Sequence, residues 1–415
     1  KIFSSPASYP KGVGAFELYQ KGNKTMTTRR LFEENVKTQR FEAKVLSCTE
    51  EKGKYRIELD ATAFFPEGGG QPGDQGELFP GLNENGEPVR VLDTREKAGA
   101  IYHVTDKAIP EGTEVLGRLN WDKRLRNMQN HSGEHILSGL IHAKYGYNNV
   151  GFHMGSDAVT LDLDGVIVPE ELPEFERQVN EVIEKNVEIE ILYPSREELE
   201  KIDYRSKKEI AGQVRIVRIG TYDTCACCGT HVEYTGEIRL VKLLGIQNYK
   251  GGVRISMLAG RDAIEDYEKK HAMIQEATHL LSVKPDQVDS GIRKLLDANA
   301  ALKSKLIAFQ RQIGEEKAAA VPEGTRKICF LEPNFQSDEL REMCNKAAVK
   351  AEIVLGLLPI REGLCQYVLI SNQADVRELG KALNEEFNGK GGGQPSMVQG
   401  TLMADGEEIK AYFLE

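Results

Sequence analysis

The chain has 415 residues, too long for one ordinary core, so roughly two to four domains are expected. Its 40% hydrophobic and 28% charged residues are a soluble globular balance, and no apolar run approaches the ~20 residues that span a bilayer. A formal net charge of −10, from 54 Lys plus Arg against 64 Asp plus Glu, excludes indiscriminate nucleic-acid coating but allows local basic patches that grip one RNA.

Residues 1–25 are rich in Lys, Gly and Ser and lack a continuous apolar stretch, which predicts a leader or disordered arm, not a secretory signal. Strand-like periodicity starts after Met26. RFEAKVLSC and KYRIELDATAFF read as strands joined by a Glu-Lys-Gly-Lys turn. PEGGGQPGDQG then breaks the pattern, and PVRVLDTRE, GAIYHVTD and TEVLGRLNW follow as strands. Turns about every ten residues predict a small barrel over 26–120. Residues 122–145 read as a helix capped by Asp122 and stopped at Gly146. A second helix is expected over 170–189, with Phe175, Val179, Val182 and Ile183 on one face. VRIVRIG, EIRLVKLLGIQNY and GGVRISMLAG are strands, so 121–260 is expected to be α+β.

Residues 261–320 change character, and 261–281 with 286–318 predict a helical hairpin. Val288, Ile292, Leu295, Asn299, Leu302, Leu306, Phe309 and Ile313 step by 4 and 3, the seam of a coiled coil. That seam either packs within the chain or joins two copies, and a homodimer is the sharper expectation. Residues 321–415 read as a separate α/β domain with strands KICFLEP, EIVLGLLPI and CQYVLISN, helices at 338–349 and 375–387, and a glycine-rich loop, GKGGGQPSMVQG, holding Gly391, Gly392 and Gly393.

Seven cysteines, three of them Cys225, Cys227 and Cys228, fit a reducing, cytoplasmic compartment and metal or redox chemistry better than a disulfide scaffold. His131 and His135 are four apart on a predicted helix and share a face, so both imidazoles can reach one ion. Alone such a pair is common on helix surfaces. Cys225-Ala-Cys227-Cys228-Gly-Thr-His231 offers a thiolate and an imidazole on one turn. Together the two half-sites make one site of three nitrogens and one sulfur, which suits zinc over magnesium or calcium. Either Cys227 or Cys228 can supply the sulfur. The third motif runs from Thr62 through Gly69, Gly70 and Gln71 to Gly76: its glycines allow close backbone approach, and Gln71 offers donors and an acceptor. It reads as a loop against a substrate or as a tight barrel turn. No Gly-Lys-Ser/Thr follows it, so it is no phosphate-binding Walker loop.

FFPEGGGQPGDQG, HSGEH and CACCGTHV, in this order, resemble the editing domain of alanyl-tRNA synthetase and its free-standing relatives, the AlaX editing proteins. The helical stretch with GKGGGQPSMVQG is similar to the synthetase C-terminal region, whose globular part is related to the DHH-associated domain. The resemblance covers about 28–415 and points to the long AlaX form. It implies that His131, His135, Cys227 and His231 hold one zinc ion, with Cys227 at the family's Cys-x-x-x-His spacing. Many members have glycine at the position of Cys228. It also implies that Thr62 and Gln71 face the aminoacyl group, and that a G·U pair in the acceptor stem identifies the tRNA.

The expected architecture is therefore α+β: an arm (1–25), a glycine-rich β-barrel (26–120), a zinc-containing editing domain (121–260), a helical hairpin (261–320) and a C-terminal α/β tRNA-binding domain (321–415). The expected activity is a zinc-dependent hydrolase that acts in trans, with no ATP-binding aminoacylation domain and no Asp-His-His phosphoesterase. It would deacylate alanine tRNA mischarged with serine or glycine, which a small alanine pocket rejects only weakly. Thr62 and Gln71 are the catalytic candidates. Thr62, Gly69, Gly70, Gln71 and Gly391–Gly393 are the substrate-binding candidates, and His131, His135, Cys227 and His231 the metal ligands. The alternative is a non-catalytic tRNA-binding module with structural zinc.

Overall fold

Alternation in RFEAKVLSC puts Phe41, Ala43 and Val45 on one face, and in the computed structural model these residues are buried on the strand Arg40–Glu51. The structure describes residues 28–155, 157–206 and 213–415. The arm expected over 1–25 lies outside the described residues. The chain divides into two compact units, one ending at His271 and one spanning Ala272–Glu415.

In the first unit a closed barrel runs, in spatial order, Arg40–Glu51, Lys54–Leu59, Ala100–Thr105, Val89–Lys97, Gly76–Pro80 and Glu114–Leu119, the last pairing back to the first. Ile57, Leu59, Phe64, Leu78 and Val115 fill its core. Gly76–Pro80 is a strand the sequence reading missed, because it is short, begins with Gly and ends with Pro. The predicted run KYRIELDATAFF is broken at Asp60, whose carboxylate accepts the Lys44 N–H at 2.7 Å. Past it, Ala61–Thr62 pairs in parallel with Arg29–Arg30.

The helix Trp121–Tyr145 starts at Asn120, whose side chain accepts the Lys123 N–H at 3.1 Å; Asp122 sits in the first turn and does not cap it. It stops at Gly146, at φ +72°, as the sequence predicts. It lies on an antiparallel sheet ordered Val241–Tyr249, Gly252–Ala259, Val159–Leu163 and Asn149–Met154. The helix Leu172–Glu184 buries Phe175, Val179, Val182 and Ile183 but ends before Ile189, which opens a strand, Ile189–Leu192, of a three-stranded sheet with Ile216–Ile219 and Asp223–Ala226. The expected long strand from Glu237 begins later, at Val241, after a 3₁₀ turn over Thr235–Ile238.

The helix Arg261–Leu281 runs across the division between the units. In the second unit a 3₁₀ turn, Pro285–Gln287, leads into the helix Val288–Ala319. The apolar seam on that helix is bare: Leu295, Leu302 and Phe309 are 61%, 66% and 64% exposed. A five-stranded sheet is ordered Thr325–Leu331, Ala351–Arg361, Leu364–Ile370, Met397–Leu402 and Lys390–Gln394, parallel in its first pair and antiparallel elsewhere. Helices Ser337–Ala347 and Arg377–Glu386 fall where expected, and Gly406–Leu414 is an added C-terminal helix. The predicted glycine-rich loop is a hairpin instead. Gly391, Gly392 and Gly393 form an exposed edge strand opposite Gly400, Gln399 and Val398, because backbone pairing there needs no side chains. No helix among the described residues is long and apolar enough to cross a membrane.

Candidate metal centre

Helical spacing carries His131 and His135 onto one buried face of Trp121–Tyr145. The strand Asp223–Ala226 delivers the second half-site, the turn Cys227–His231 that follows it. Gly229 permits their meeting, since a Cβ there would lie 2.1 Å from Cε1 of His131. The donor atoms of His131, His135, Cys227 and His231 all lie within 4.8 Å of one another. Cys227 Sγ is 3.4 Å from His131 Nε2. Cys228 is exposed and outside the group, so of the two candidate sulfurs the fold gathers Cys227.

Each imidazole is held from behind through Nδ1. Donor roles follow from the partners. His131 Nδ1–H donates to Gln71 Oε1 at 2.9 Å, and His135 Nδ1–H to Asp223 Oδ2 at 2.8 Å. His231 Nδ1–H donates to Ser132 Oγ at 3.3 Å. Such contacts are the kind that orient histidine ligands where a metal is bound. The Nε2 of His231 is buried and has no hydrogen-bond partner. An orphaned imidazole nitrogen beside two others and a sulfur fits a metal ion, and the donor set is one that zinc takes.

The four side chains perturb one another electrostatically. Burial pushes the Cys227 thiol up, but the imidazoles of His131 and His135 beside it more than reverse this and hold it well below the usual range. Burial opposes protonation of His135, yet Cys227 and Asp223 raise it well above an ordinary histidine. Burial, aided by His131, presses His231 down to about 3. A thiolate and a neutral imidazole are the forms a metal binds. Cys225 joins His135 and Asp223 in a second cluster behind the first, and Arg205 Nε donates to Asp223 Oδ1 at 2.8 Å.

The glycine-rich loop reaches this centre through Gln71. Its Oε1 accepts from both His131 and the Thr230 N–H (3.1 Å), and its Nε2 donates to Thr230 Oγ1 at 2.8 Å. Gln71 is fully buried and sits behind His131. Gly69 and Gly70 take left-handed φ, +63° and +89°, and are exposed. The base of the loop is pinned to the helix Trp121–Tyr145 by a buried ion pair, with Arg124 Nε donating to Asp74 Oδ2 at 2.7 Å. Thr62 is buried in the barrel. His103 Nδ1–H donates to the Ile57 carbonyl at 3.0 Å, which leaves its Nε2 to accept the Thr62 hydroxyl proton at 2.9 Å. Thr62 Oγ1 also accepts the Phe64 N–H at 3.1 Å. Gly391, Gly392 and Gly393 belong to the other unit.

Sequence reasoning missed Ser132, Thr230, Asp223 and His103. The first two lie inside recognised motifs. Nothing in the sequence marks Asp223 or His103, because their roles depend on contacts 88 and 41 residues away.

A family model described as the second additional domain of threonyl and alanyl tRNA synthetases matches residues 214–256. One described as class II (A) tRNA synthetases matches residues 13–123. An alanine–tRNA ligase of Pyrobaculum aerophilum is 31% identical over 395 residues, 91% of this chain and 43% of that protein. The alanyl-tRNA editing protein AlaX-L of Pyrococcus horikoshii is 29% identical over 409 residues, 93% of this chain and 97% of that protein. The alanyl-tRNA editing protein Aarsd1 of Danio rerio is 27% identical over 383 residues, 87% of this chain and 91% of that protein. The chain thus spans less than half the length of the alanine–tRNA ligase it matches and nearly all of the two editing proteins.

Proposed function

We propose that this chain, a homologue of the alanyl-tRNA editing proteins along nearly its whole length, is a deacylase that acts in trans on alanine tRNA carrying serine or glycine. The observation that carries the reading is the buried group of three imidazoles and one thiol, oriented from behind. The relatives supply the substrate class.

His131, His135, Cys227 and His231 would hold one zinc ion. When bound, zinc supplies a Lewis acid able to polarise an ester carbonyl or lower the pKa of water. Gln71, Asp223 and Ser132 are positioning residues that aim the three rings. Backbone N–H groups at Gly69 and Gly70 are the proposed donors to the developing oxyanion. Gln71, expected to face the substrate, acts in this reading through His131.

Serine differs from alanine by one hydroxyl and is the larger, so size cannot exclude the correct product. A site that hydrogen-bonds the hydroxyl can. Thr62 is the proposed partner. Its proton is spent on His103 and one lone pair on the Phe64 N–H, so what remains is one acceptor position, suited to a hydroxyl that donates. Thr62→Val is expected to slow Ser-tRNA deacylation roughly 10- to 100-fold, from the loss of one buried hydrogen bond, and Gly-tRNA deacylation far less. Because Val also strands His103 and the Phe64 N–H, a lower melting temperature should accompany it. Equal slowing of both substrates would remove Thr62 from discrimination.

The hairpin of Gly391–Gly393 and its domain are proposed to hold the tRNA body, with the acceptor-stem G·U pair as identity element. The bare seam from Val288 to Ile313 is proposed to join two copies. One observation favours a second reading: four protein ligands close a tetrahedral site, as structural zinc does, which suits a non-catalytic tRNA-binding module. The deciding experiment offers Ser-tRNA(Ala) to the purified protein with and without chelator. Metal-dependent release of serine is expected. Binding of the tRNA with no release would favour the module.

A further inference from the structure

The outer face of the barrel floors a cavity of about 660 Å³, within the roughly 300–1,000 Å³ of small-ligand sites. Alternation sends Ile57 into the barrel core and leaves Arg56 outside. Strand pairing sets Arg56 beside Val104, Val104 beside Asp93, and Tyr102 beside Arg95. The hairpin turn over 51–54 forms one wall. Pro72, Gly73 and Gln75 of the glycine-rich segment form another, with Lys123 from the first turn of the helix Trp121–Tyr145. The lining thus comes from the barrel, that segment and one helix, and the turn over 227–231 takes no part.

The charges lining the cavity are unevenly committed. Arg95 Nε donates to Asp93 Oδ2 at 2.6 Å, and Arg56 pairs with Glu51. Among the described residues, Lys52, Lys54 and Lys123 pair with no carboxylate. Lys52 and Lys54 are exposed, and Lys123 is half-buried with its Nζ still open to solvent. Burial pulls the Lys123 ammonium below the usual lysine range, and Asp74 and Asp93 oppose this only in part. Asp74 is already held by Arg124, and Asp93 by Arg95. A partly desolvated ammonium without a counter-ion of its own is stabilised by an anion. Beside it, the Arg56 guanidinium lies over the Tyr102 ring, 4.8 Å from the centroid, with its side chain 38% exposed. It presents a flat plate on which a nucleic-acid base can stack.

We propose that this cavity binds a nucleoside phosphate, with the phosphate at Lys123 and the base over Arg56. Lys52 and Lys54 add positive potential at the rim. Phosphate alone would leave the Arg56 plate and much of the volume unused. A bare nucleoside would leave three ammonium groups without an anion. A free mononucleotide and one nucleotide of a longer RNA carry the same chemistry. Either would touch the glycine-rich segment one residue beyond Gln71, the side chain that holds His131. The site does not depend on the deacylase reading.

The test is calorimetric titration of the full-length chain with AMP, adenosine and inorganic phosphate. AMP is expected to bind more tightly than either fragment. Lys123→Gln should weaken AMP and phosphate roughly ten-fold or more, through the loss of one charge-assisted hydrogen bond, and leave adenosine unchanged. Arg56→Lys keeps the charge and removes the plate, so it should weaken AMP and adenosine and leave phosphate unchanged. The melting temperature should hold in both variants. AMP that displaces tRNA(Ala) from the wild type but not from Lys123→Gln upholds the site and assigns it to a nucleotide of the RNA. AMP that binds without displacing tRNA upholds it as a site for the free nucleotide. No AMP binding, or AMP binding that Lys123→Gln leaves intact, overturns the site whatever the chain does to Ser-tRNA(Ala).

Discussion

The helices Trp121–Tyr145 and Val288–Ala319 invert the usual relation between polarity and burial. The first hides Arg124, Asn127, Gln129, Asn130, His131, Ser132, Glu134, His135 and Ser138. The second exposes Ile292, Leu295, Leu302, Leu306, Phe309 and Ile313 and buries Gln310, Gly314 and Ala318. Buried polar groups cost free energy unless each is partnered, so a helix that hides nine of them depends on partners from the elements packed against it. Exposed apolar groups at heptad spacing lower their free energy only against a partner helix. One helix is organised from within its unit. The other is left incomplete.

The sharpest break of that comparison removes two of the imidazoles gathered at the first helix, one of them its own. His135→Ala combined with His231→Ala should reduce metal from one per chain to near zero by elemental analysis and take deacylation to background. Retention of stoichiometric zinc would move the site elsewhere.

Buried polarity should also appear in the pH dependence of stability. Burial lowers His103 to about 4, against a small opposing pull from the Ile57 carbonyl. The unfolded chain takes up a proton near pH 6.5 that the folded chain refuses until about pH 4. This contribution is therefore complete above pH 6.5 and lost as pH falls toward 4, amounting to about 3 kcal/mol. Urea unfolding of the wild type and His103→Gln at pH 7 and pH 4.5 reads the difference. Parallel pH slopes would show that His103 titrates normally in the fold.

A finer probe is Asp223→Asn. It keeps the shape behind His135 but weakens the charge that orients it, so metal affinity should fall roughly 10- to 100-fold in chelator competition. An unchanged affinity would make the Asp223 contact incidental.

The smallest thermodynamic effect belongs to the second helix. Leu302→Glu with Phe309→Glu changes side chains that touch solvent, so monomer stability should move by only about 0.5 kcal/mol. Sedimentation should lose the dimer. A wild type that stays monomeric at every concentration would show that the seam meets something other than its own copy.

Strand alternation and helical spacing were enough to place most elements, because those patterns are local. They failed where a contact decided the outcome. Asn120 rather than Asp122 caps the helix Trp121–Tyr145, because its side chain is the one placed to meet the Lys123 N–H. The helix expected to run to 189 stops at Glu184, because Ile189 pairs with Ile219 in a sheet. Gly391–Gly393 read as a loop by composition, yet pairing with Val398–Gly400 makes them a strand.

The sequence by itself determined two candidate half-sites, since His-x-x-x-His on a helix and a cysteine-rich turn ending in His231 each carry their geometry in their spacing. It also determined the heptad seam and the glycine-rich loop. Only the tertiary structure decided which cysteine joins the group, what stands behind each imidazole, and that Gln71 faces His131 while Thr62 faces His103. Those outcomes depend on hydrogen bonds between residues 41 to 99 positions apart, and no local pattern encodes such a distance.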